Sequence, residues 1–396
     1  MSPSDAFQKS FATHDSSPGP ARREIVWDET SSFWRVQGQV AAHTALIDDH
    51  LDVVRDPPAD VKLADDYVPS AMEFLGSWFS RSPRDRHRAV KRHLIKPYHE
   101  QSIAPLEQMF NETAVDCATT LSDDCDLIND FLIPFWLRGT ANMLAVPEDQ
   151  HQNLAKVVAA LSAILERPRL DDNATRVTDN CLRYLRALVE TMFQLESPPP
   201  VVHALRELRE DQQAGGIWSA VSALAQLLTA GLQPTITGVA MTWRTLHAQP
   251  GLRDDVTNAG ADLSDIVDEV LRLHPPFPFL HRWVQQRCEC HGVVLEPGAH
   301  VLIDLRAANR DSASFIDPNQ FVPGRKDKLD LSFGHGPHRC PGAALARLQT
   351  QIVLRTLLSQ QPPLVPVSVE AEPGTVREGH LVVVKSLPCR RVSASN

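Results

Sequence analysis

No run of eighteen consecutive apolar residues occurs in the 396-residue chain, which excludes a membrane-spanning helix of ordinary length. The opening, MSPSDAFQKSFATHDSSPGPARR, has no apolar core of the kind a secretory leader needs. The protein is therefore expected in the cytoplasm, with no membrane partner. Positive charge is in short supply: 39 Lys and Arg stand against 49 Asp and Glu, for a net −10. A nucleic-acid-binding domain is expected to be basic, so nucleic acid is excluded as the main partner. Cysteines are few and odd in number, seven in all, at 117, 125, 181, 288, 290, 340 and 389, without framework spacing. In a chain this long that excludes a disulfide scaffold and reads as reduced thiols. The pair Cys288–Cys290 followed by His291 has the residue types of a metal site, but in RWVQQRCECHGVVLEPG it reads as a strand with both thiols on one face. Linker composition, repeats and low complexity are missing after residues 1–22, a polar Ser- and Pro-rich stretch expected to be a disordered tail. Residues 23–396 are expected to form a single domain and the chain a monomer.

What the chain does have is a large apolar fraction, 43%, ample for an extensive core. Helical spacing dominates from about residue 86 to 274, in segments such as RHRAVKRHLI, FLIPFWLRGTANML and QNLAKVVAALSAILE. After His274 the pattern changes to short β-type runs such as GVVLEPGAHVLIDL; one more helical segment follows Cys340, and HLVVVK closes the chain. The fold class is mainly α with a minor β portion. The longest apolar stretch, Ile217 to about His247, repeats Trp218, Val221, Leu224, Leu228 and Gly231 at helical spacing. Yet Pro234 sits near its middle, a residue that costs roughly 3 kcal/mol inside an ordinary helix.

The chemistry is concentrated in FGHGPHRCPG, residues 333–342. Glycine and proline hold a tight loop that ends where an apolar helix begins, so Cys340 lies at a helix N-terminus, where free N–H groups and the dipole favour thiolate. A thiolate on a rigid loop is a good metal ligand, and no second cysteine or histidine pair completes a zinc tetrad here. A buried structural cysteine would leave the glycines and His338 unexplained.

This loop resembles the haem-binding loop of cytochromes P450, F-x-x-G-x-x-x-C-x-G, with Phe333, Gly336, Cys340 and Gly342 at its fixed positions. Three further family features follow in the family's arrangement: the E-x-x-R pair Glu269 and Arg272, the meander arginine Arg325 in FVPGR, and AANRD at 307–311. E-x-x-R alone carries almost no information, since helix ion pairs at that spacing are common; taken together, the resemblance runs from roughly residue 25 to the C-terminus. The resemblance implies the P450 fold, with the long central helix crossing the haem. It implies a haem b with Cys340 as axial thiolate, bound without covalent attachment, because no C-x-x-C-H occurs. Such a ligand pushes electron density onto iron and favours O–O cleavage. It implies propionate partners at His338, Arg282 and Arg92. The family's H-x-x-x-R pair is altered: Arg88 stands four before Arg92 and His87 is one residue off register, so either could reach a propionate. Arg325 would lock the Glu269–Arg272 pair.

The resemblance also sharpens the puzzle of Pro234. In the family the central helix carries A/G-G-x-D/E-T, whose acid and threonine relay protons during oxygen activation, and the helix is widened there. Here AGLQPTIT keeps Ala230 and Gly231 but puts Gln233 for the acid and Pro234 for the threonine, with Thr235 and Thr237 nearby. Neither an amide nor a proline exchanges protons usefully. Three readings stay open. In the first, a monooxygenase uses dioxygen, with substrate or water supplying the proton path. In the second, a peroxygenase uses hydrogen peroxide; family members of that kind carry an arginine–proline pair here, and only the proline is shared. In the third, the chain is a non-catalytic haem-binding sensor.

By resemblance, the pocket draws on the loop before residue 86 (Met72, Phe74, Leu75, Trp78, Phe79), on the central helix (Leu227, Ala230, Gln233) and on the strand after Pro276 (Phe277, Phe279, Leu280). Its aromatics suit an apolar or aromatic natural-product substrate, free or tethered to a carrier protein, for hydroxylation or oxidative coupling. RSPRDRHRAVKRHLIK at 81–96, with Arg339 and Arg347, forms a basic patch that could steer an acidic ferredoxin. Electrons from NAD(P)H are expected through a separate ferredoxin and ferredoxin reductase, since no flavin or iron–sulfur domain is fused.

Overall fold

A computed structural model describes residues 24–55, 69–165, 171–211, 213–249, 251–258, 260–326, 330–369, 375–378 and 381–392. The expected disordered tail lies outside the described residues. The chain divides into two compact units, each assembled from separated segments: residues 1–57 with 271–340, and 58–270 with 341–396.

The first unit is built on a five-stranded sheet. Its strand order is Ile25–Asp28, Phe33–Val36, His300–Asp304, Phe279–Val284, Leu51–Asp52. All pairings are antiparallel except the parallel one between Phe33–Val36 and His300–Asp304. Alternation of side chains in Phe279–Val284 puts Leu280, Arg282 and Val284 on one face and Phe279, His281 and Trp283 on the other. The first face belongs to a core that includes Val36, Val301, Ile303 and the helix Gln39–Ile47; the second packs Phe279 against Phe33 and Leu302. Cys288–Cys290 forms a small hairpin with Val293–Leu295, the strand expected for that stretch.

The second unit is helical, centred on Gly216–Ala248, a 33-residue helix with Pro234 inside it. Proline supplies no N–H to the carbonyl of Ala230, yet the α-helix runs through uninterrupted. Three residues before the proline, Gly231 lets a neighbouring helix approach: a Cβ there would stand 3.0 Å from the Trp136 ring. Two small sheets flank the helices. One is the ribbon Thr375–Glu378 with Leu381–Val384, and the other has the order Asp124–Asp126, Pro388–Arg391, Leu364–Pro366.

Candidate functional site

In the first unit the cysteine loop is held by its own backbone. Gly334 N–H donates to Leu331 O at 2.8 Å, Arg339 N–H to Gly336 O at 3.0 Å, and Cys340 N–H to Phe333 O at 2.9 Å. Gly334 and Gly336 both have positive φ, +69° and +70°, the region that favours glycine. At Gly336 space matters too. A Cβ would come within 2.7 Å of Ile47 Cγ2 and 3.0 Å of Leu46 O, so any side chain would push the loop off the helix Gln39–Ile47. The His335 ring packs against His43 of that helix, tilted by 31° with centroids 3.8 Å apart. Burial, His43 and Arg339 together push the His335 imidazole down from its ordinary pKa. Phe333 and His338 are half-buried and Cys340 is exposed. Three residues after Cys340 the helix Ala343–Leu358 begins, with Gly342 at its N-cap.

The base of this loop is fixed by a network reaching back to the end of the E-x-x-R helix. Glu269 and Arg272 are 4% and 2% exposed. Arg272 donates to the carbonyls of Asn309 at 2.5 Å, Pro318 at 2.8 Å and Gln320 at 3.2 Å, and lies over the Phe315 ring. Arg325 donates to the carbonyls of Ile316, Asp317 and Gln320. The two arginines therefore meet through a shared acceptor, the Gln320 carbonyl. Asn309, fully buried, completes the brace. Its Nδ2 donates to Arg272 O and Ser332 Oγ, and its Oδ1 accepts the Leu331 N–H at 2.8 Å. The Ser332 hydroxyl in turn donates to Leu271 O at 2.9 Å. In the sequence Asn309 stands out only as part of AANRD; these bonds join residues 22 and 37 positions apart and leave no local signal.

Arg282 is 4% exposed and donates to His281 O at 2.9 Å. Leu280, on the same sheet face, reaches the cysteine loop: a Cβ on Gly334 would lie 3.8 Å from Leu280 Cδ1. Phe277 and Leu280 are half-buried. Phe279 does not share that face. Expected in the pocket, it is instead core on the opposite side of the sheet, because strand alternation turns it towards Phe33 and Leu302.

In the second unit the long helix is buried along most of its length, with 23 of its residues buried. Its middle carries one open stripe: Ala230 is exposed, and Leu227, Gly231, Gln233 and Pro234 are half-buried. Spacings of three and four residues place Leu227, Ala230, Gly231 and Pro234 on one face, with Gln233 at its margin. No carboxylate or hydroxyl belongs to that stripe. Thr235 is 9% exposed, and Thr237 donates to Val382 O at 3.1 Å, committing its hydroxyl to the β-ribbon. Phe74, Trp78 and Phe79 are 0%, 3% and 5% exposed. Their segment is fastened to the long helix by Ser77 Oγ to Ser222 Oγ at 3.0 Å and Ser80 N–H to Gln226 Oε1 at 3.2 Å. The Met72 side chain lies outside the described residues.

The two candidates for the altered H-x-x-x-R position are separated clearly. His87 is 3% exposed with Nδ1 2.8 Å from Phe79 O. The Arg88 side chain is 72% exposed and 3.9 Å from Asp85. Arg92 pairs with Asp211, which also takes His93 Nε2 at 2.8 Å. Hydrogen bonds from His93 and Arg92 hold the Asp211 carboxyl below the usual range, although its burial opposes them. Arg347 pairs with Asp268 at 2.6 Å. Arg92 and Arg347, cations of the expected docking patch, thus already have close acidic partners.

Comparison with known proteins gives a consistent picture. Residues 263–368 match the family model "Cytochrome P450". The chain is 28% identical over 344 residues to erythromycin C-12 hydroxylase of Saccharopolyspora erythraea, covering 85% of this chain and 84% of that one. It is 26% identical to mycinamicin IV hydroxylase/epoxidase of Micromonospora griseorubida, covering 72% of each. Among solved structures, P450BioI in complex with an acyl carrier protein ligated with hexadec-9Z-enoic acid superposes with a TM-score of 0.80. That match has 22% identity and covers 93% of this chain and 96% of the other, a likeness of fold.

Proposed function

We propose that this chain, which belongs to the cytochrome P450 family, oxidises an apolar natural-product substrate at a haem b whose iron is held by Cys340. It is a monooxygenase-type oxidoreductase, and its relatives include an erythromycin C-12 hydroxylase and a mycinamicin IV hydroxylase/epoxidase. The residues fit the group. The loop presents an exposed cysteine on a backbone cradle in which side chains at 334 and 336 would be strained. Arg282 lies on the sheet face that reaches the same loop, where a propionate carboxylate would find a cation. Bound there, a haem supplies the oxygen-activating chemistry that a thiolate ligand favours.

The chain's own contribution is binding and exclusion. Leu227, Ala230 and Gly231 offer an apolar surface, and the Gln233 amide a donor and an acceptor for a substrate hydroxyl or carbonyl. The observation that carries the reading is the open stripe without a proton-exchanging group. Gln233 and Pro234 cannot transfer a proton, Thr235 is buried and the Thr237 hydroxyl is engaged. Protons must therefore come through ordered water or a substrate hydroxyl, which makes turnover depend on substrate being bound. The same stripe favours a second reading, a peroxide-dependent enzyme, because hydrogen peroxide brings its protons with it.

The two are separated by turnover of a panel of macrolide and aromatic metabolites. One arm uses NADPH, oxygen and a surrogate ferredoxin with its reductase; the other uses hydrogen peroxide alone. We expect product from the electron chain. Product from peroxide with none from the electron chain would overturn the oxygen route. For the ferredoxin itself, Arg88 and Arg339 are exposed cations of the expected basic patch. Reversing their charge should slow first electron transfer, with the defect shrinking as salt rises. A substrate tethered to an acyl carrier protein belongs in the panel, since P450BioI is known in such a complex.

A further inference from the structure

Two of the seven cysteines stand directly opposite each other on neighbouring antiparallel strands. In the small sheet of the second unit, Cys125 of Asp124–Asp126 is the register partner of Cys389 of Pro388–Arg391. Both point inwards: exposure is 9% at Cys125 and 1% at Cys389, with exposed neighbours at Asp124, Pro388 and Arg390. The ladder type is fixed two residues away on either side, where Leu127 N–H donates to Leu387 O at 3.0 Å and Arg391 N–H to Asp123 O at 2.7 Å. The Cys125–Cys389 pair is therefore of the hydrogen-bonded kind, with Cα atoms about 5.5 Å apart. A disulfide spans roughly 4.4–6.8 Å between Cα atoms, so backbone placement permits one. Cross-strand Cβ atoms sit about 4.5–5.5 Å apart, against about 3.8 Å in a relaxed disulfide. The bridge would be strained, and strained bridges are the readily reduced ones.

We propose that Cys125 and Cys389 are a reversible dithiol–disulfide pair that ties the C-terminal strand Pro388–Arg391 to the edge strand Asp124–Asp126. Hydrogen peroxide is the oxidant. One thiolate attacks a peroxide oxygen and the O–O bond breaks, leaving a sulfenic acid and releasing water. The second thiol then attacks that sulfur, the S–O bond breaks, the S–S bond forms and a second water leaves. Two thiols lose two hydrogens and one peroxide becomes two waters. Cys125 is the first to react, since it lies on the edge strand and is the less buried of the two; Cys389 resolves. Burial pushes the Cys125 thiol up to about 11 and Cys389 up to about 12, so the first step is slow at neutral pH and waits on opening of a three-residue edge strand. An unpaired buried thiol would be inert under the same conditions, as expected of Cys117 and Cys181.

The test uses the full-length haem protein treated with hydrogen peroxide, alkylated, digested without reductant and mapped by mass spectrometry. A peptide pair joined through Cys125 and Cys389, two hydrogens lighter than its parts and separated by dithiothreitol, is the expected product. Its rate of formation should rise about tenfold per pH unit between about pH 7 and 9, following the thiolate fraction. In Cys125→Ser the pair is lost and Cys389 remains alkylatable after unfolding. Should that variant fold poorly, wild-type protein treated with oxidised glutathione gives an independent reading of the same cross-link. Recovery of both thiols intact while Cys288 or Cys340 is oxidised would overturn the proposal, as would Cys125 joined to any other cysteine.

Discussion

The cysteine loop and the middle of the long helix are the two places where a P450 does its work, and this chain treats them in opposite ways. The loop keeps every fixed position of its motif, and the structure supplies a separate reason for several of them. Gly336 is pinned by the Leu46 carbonyl and Ile47, and the loop base is braced by Asn309, Ser332 and Arg272. The long helix keeps only Ala230 and Gly231. Where the family carries a proton relay, it has an amide and a proline in an unbroken helix. A ligand loop is fixed by backbone geometry, which admits few residues. A proton path is fixed by chemistry, which substrate or water can supply instead. The loop is therefore where substitution should be costly, and the helix where it should be tolerated.

The largest effect should come from the loop. Cys340→Ala removes the proposed iron ligand and should abolish the red-shifted Soret band of the reduced carbon monoxide complex; survival of that band would mean another residue holds the iron. Behind it comes Asn309→Ala, which removes three hydrogen bonds, two of them buried, and strands the Leu331 N–H, itself in a residue 2% exposed. A loss of about 3 kcal/mol is expected from unfolding by denaturant. Haem should be released more readily in the same variant. Asn309→Asp keeps the acceptor for Leu331 and should fall between wild type and Ala. Equal stability of all three would show that the brace is not what holds the loop.

How much of this was legible beforehand follows the same division. The four fixed loop positions could be read because each answers to a local demand: a turn, a ligand, a helix start. The mainly helical fold and the long helix could be read from spacing. The link between Arg272 and Arg325 through the Gln320 carbonyl, and the role of Asn309, could not, because they depend on long-range backbone placement. For Phe279 the reason is different. Its strand is legible, but a one-residue change of phase exchanges the two faces, and only the packing against Phe33 and Leu302 settles it. For Phe74 and Trp78 helical spacing marks a buried face without saying what it faces.

A smaller effect tests the sheet that carries Arg282. Burial pushes the His300 imidazole down to about 4 from an ordinary 6.5. Its Nε2 lies 2.8 Å from His281 Nδ1, and the ring stacks on Trp283. Above 6.5 the imidazole is neutral in both folded and unfolded chain and pH has no effect through it. As pH falls from 6.5 towards 4, the unfolded chain takes a proton that the folded one refuses, so stability is lost across that window. About 2 kcal/mol should go between pH 6.5 and about 5. His300→Gln should flatten that part of the pH–stability curve; an unchanged slope would assign the acid sensitivity to other groups.

The smallest effect should come from the replacement that looks most drastic on paper. Gln233→Glu with Pro234→Thr restores the family's acid and threonine to the open stripe of the long helix. A working relay of this kind is worth about 10²–10⁴ in rate, so a protein that had lost oxygen activation for want of it should gain visibly in product per NADPH. If substrate or ordered water already carries the proton, the restored pair has nothing to add. The new carboxylate also removes the Gln233 amide, and with it one hydrogen-bond donor for the substrate. The expected result is a product yield per NADPH within a few-fold of wild type, with weaker substrate binding as the main change, read from substrate-induced spectral titration. A gain of 10²-fold or more with oxygen, together with a fall in peroxide-driven turnover, would reverse the comparison. It would mean that Gln233 and Pro234 mark a protein specialised for peroxide, and that in the long helix, as in the loop, the residue at each position is dictated by the reaction.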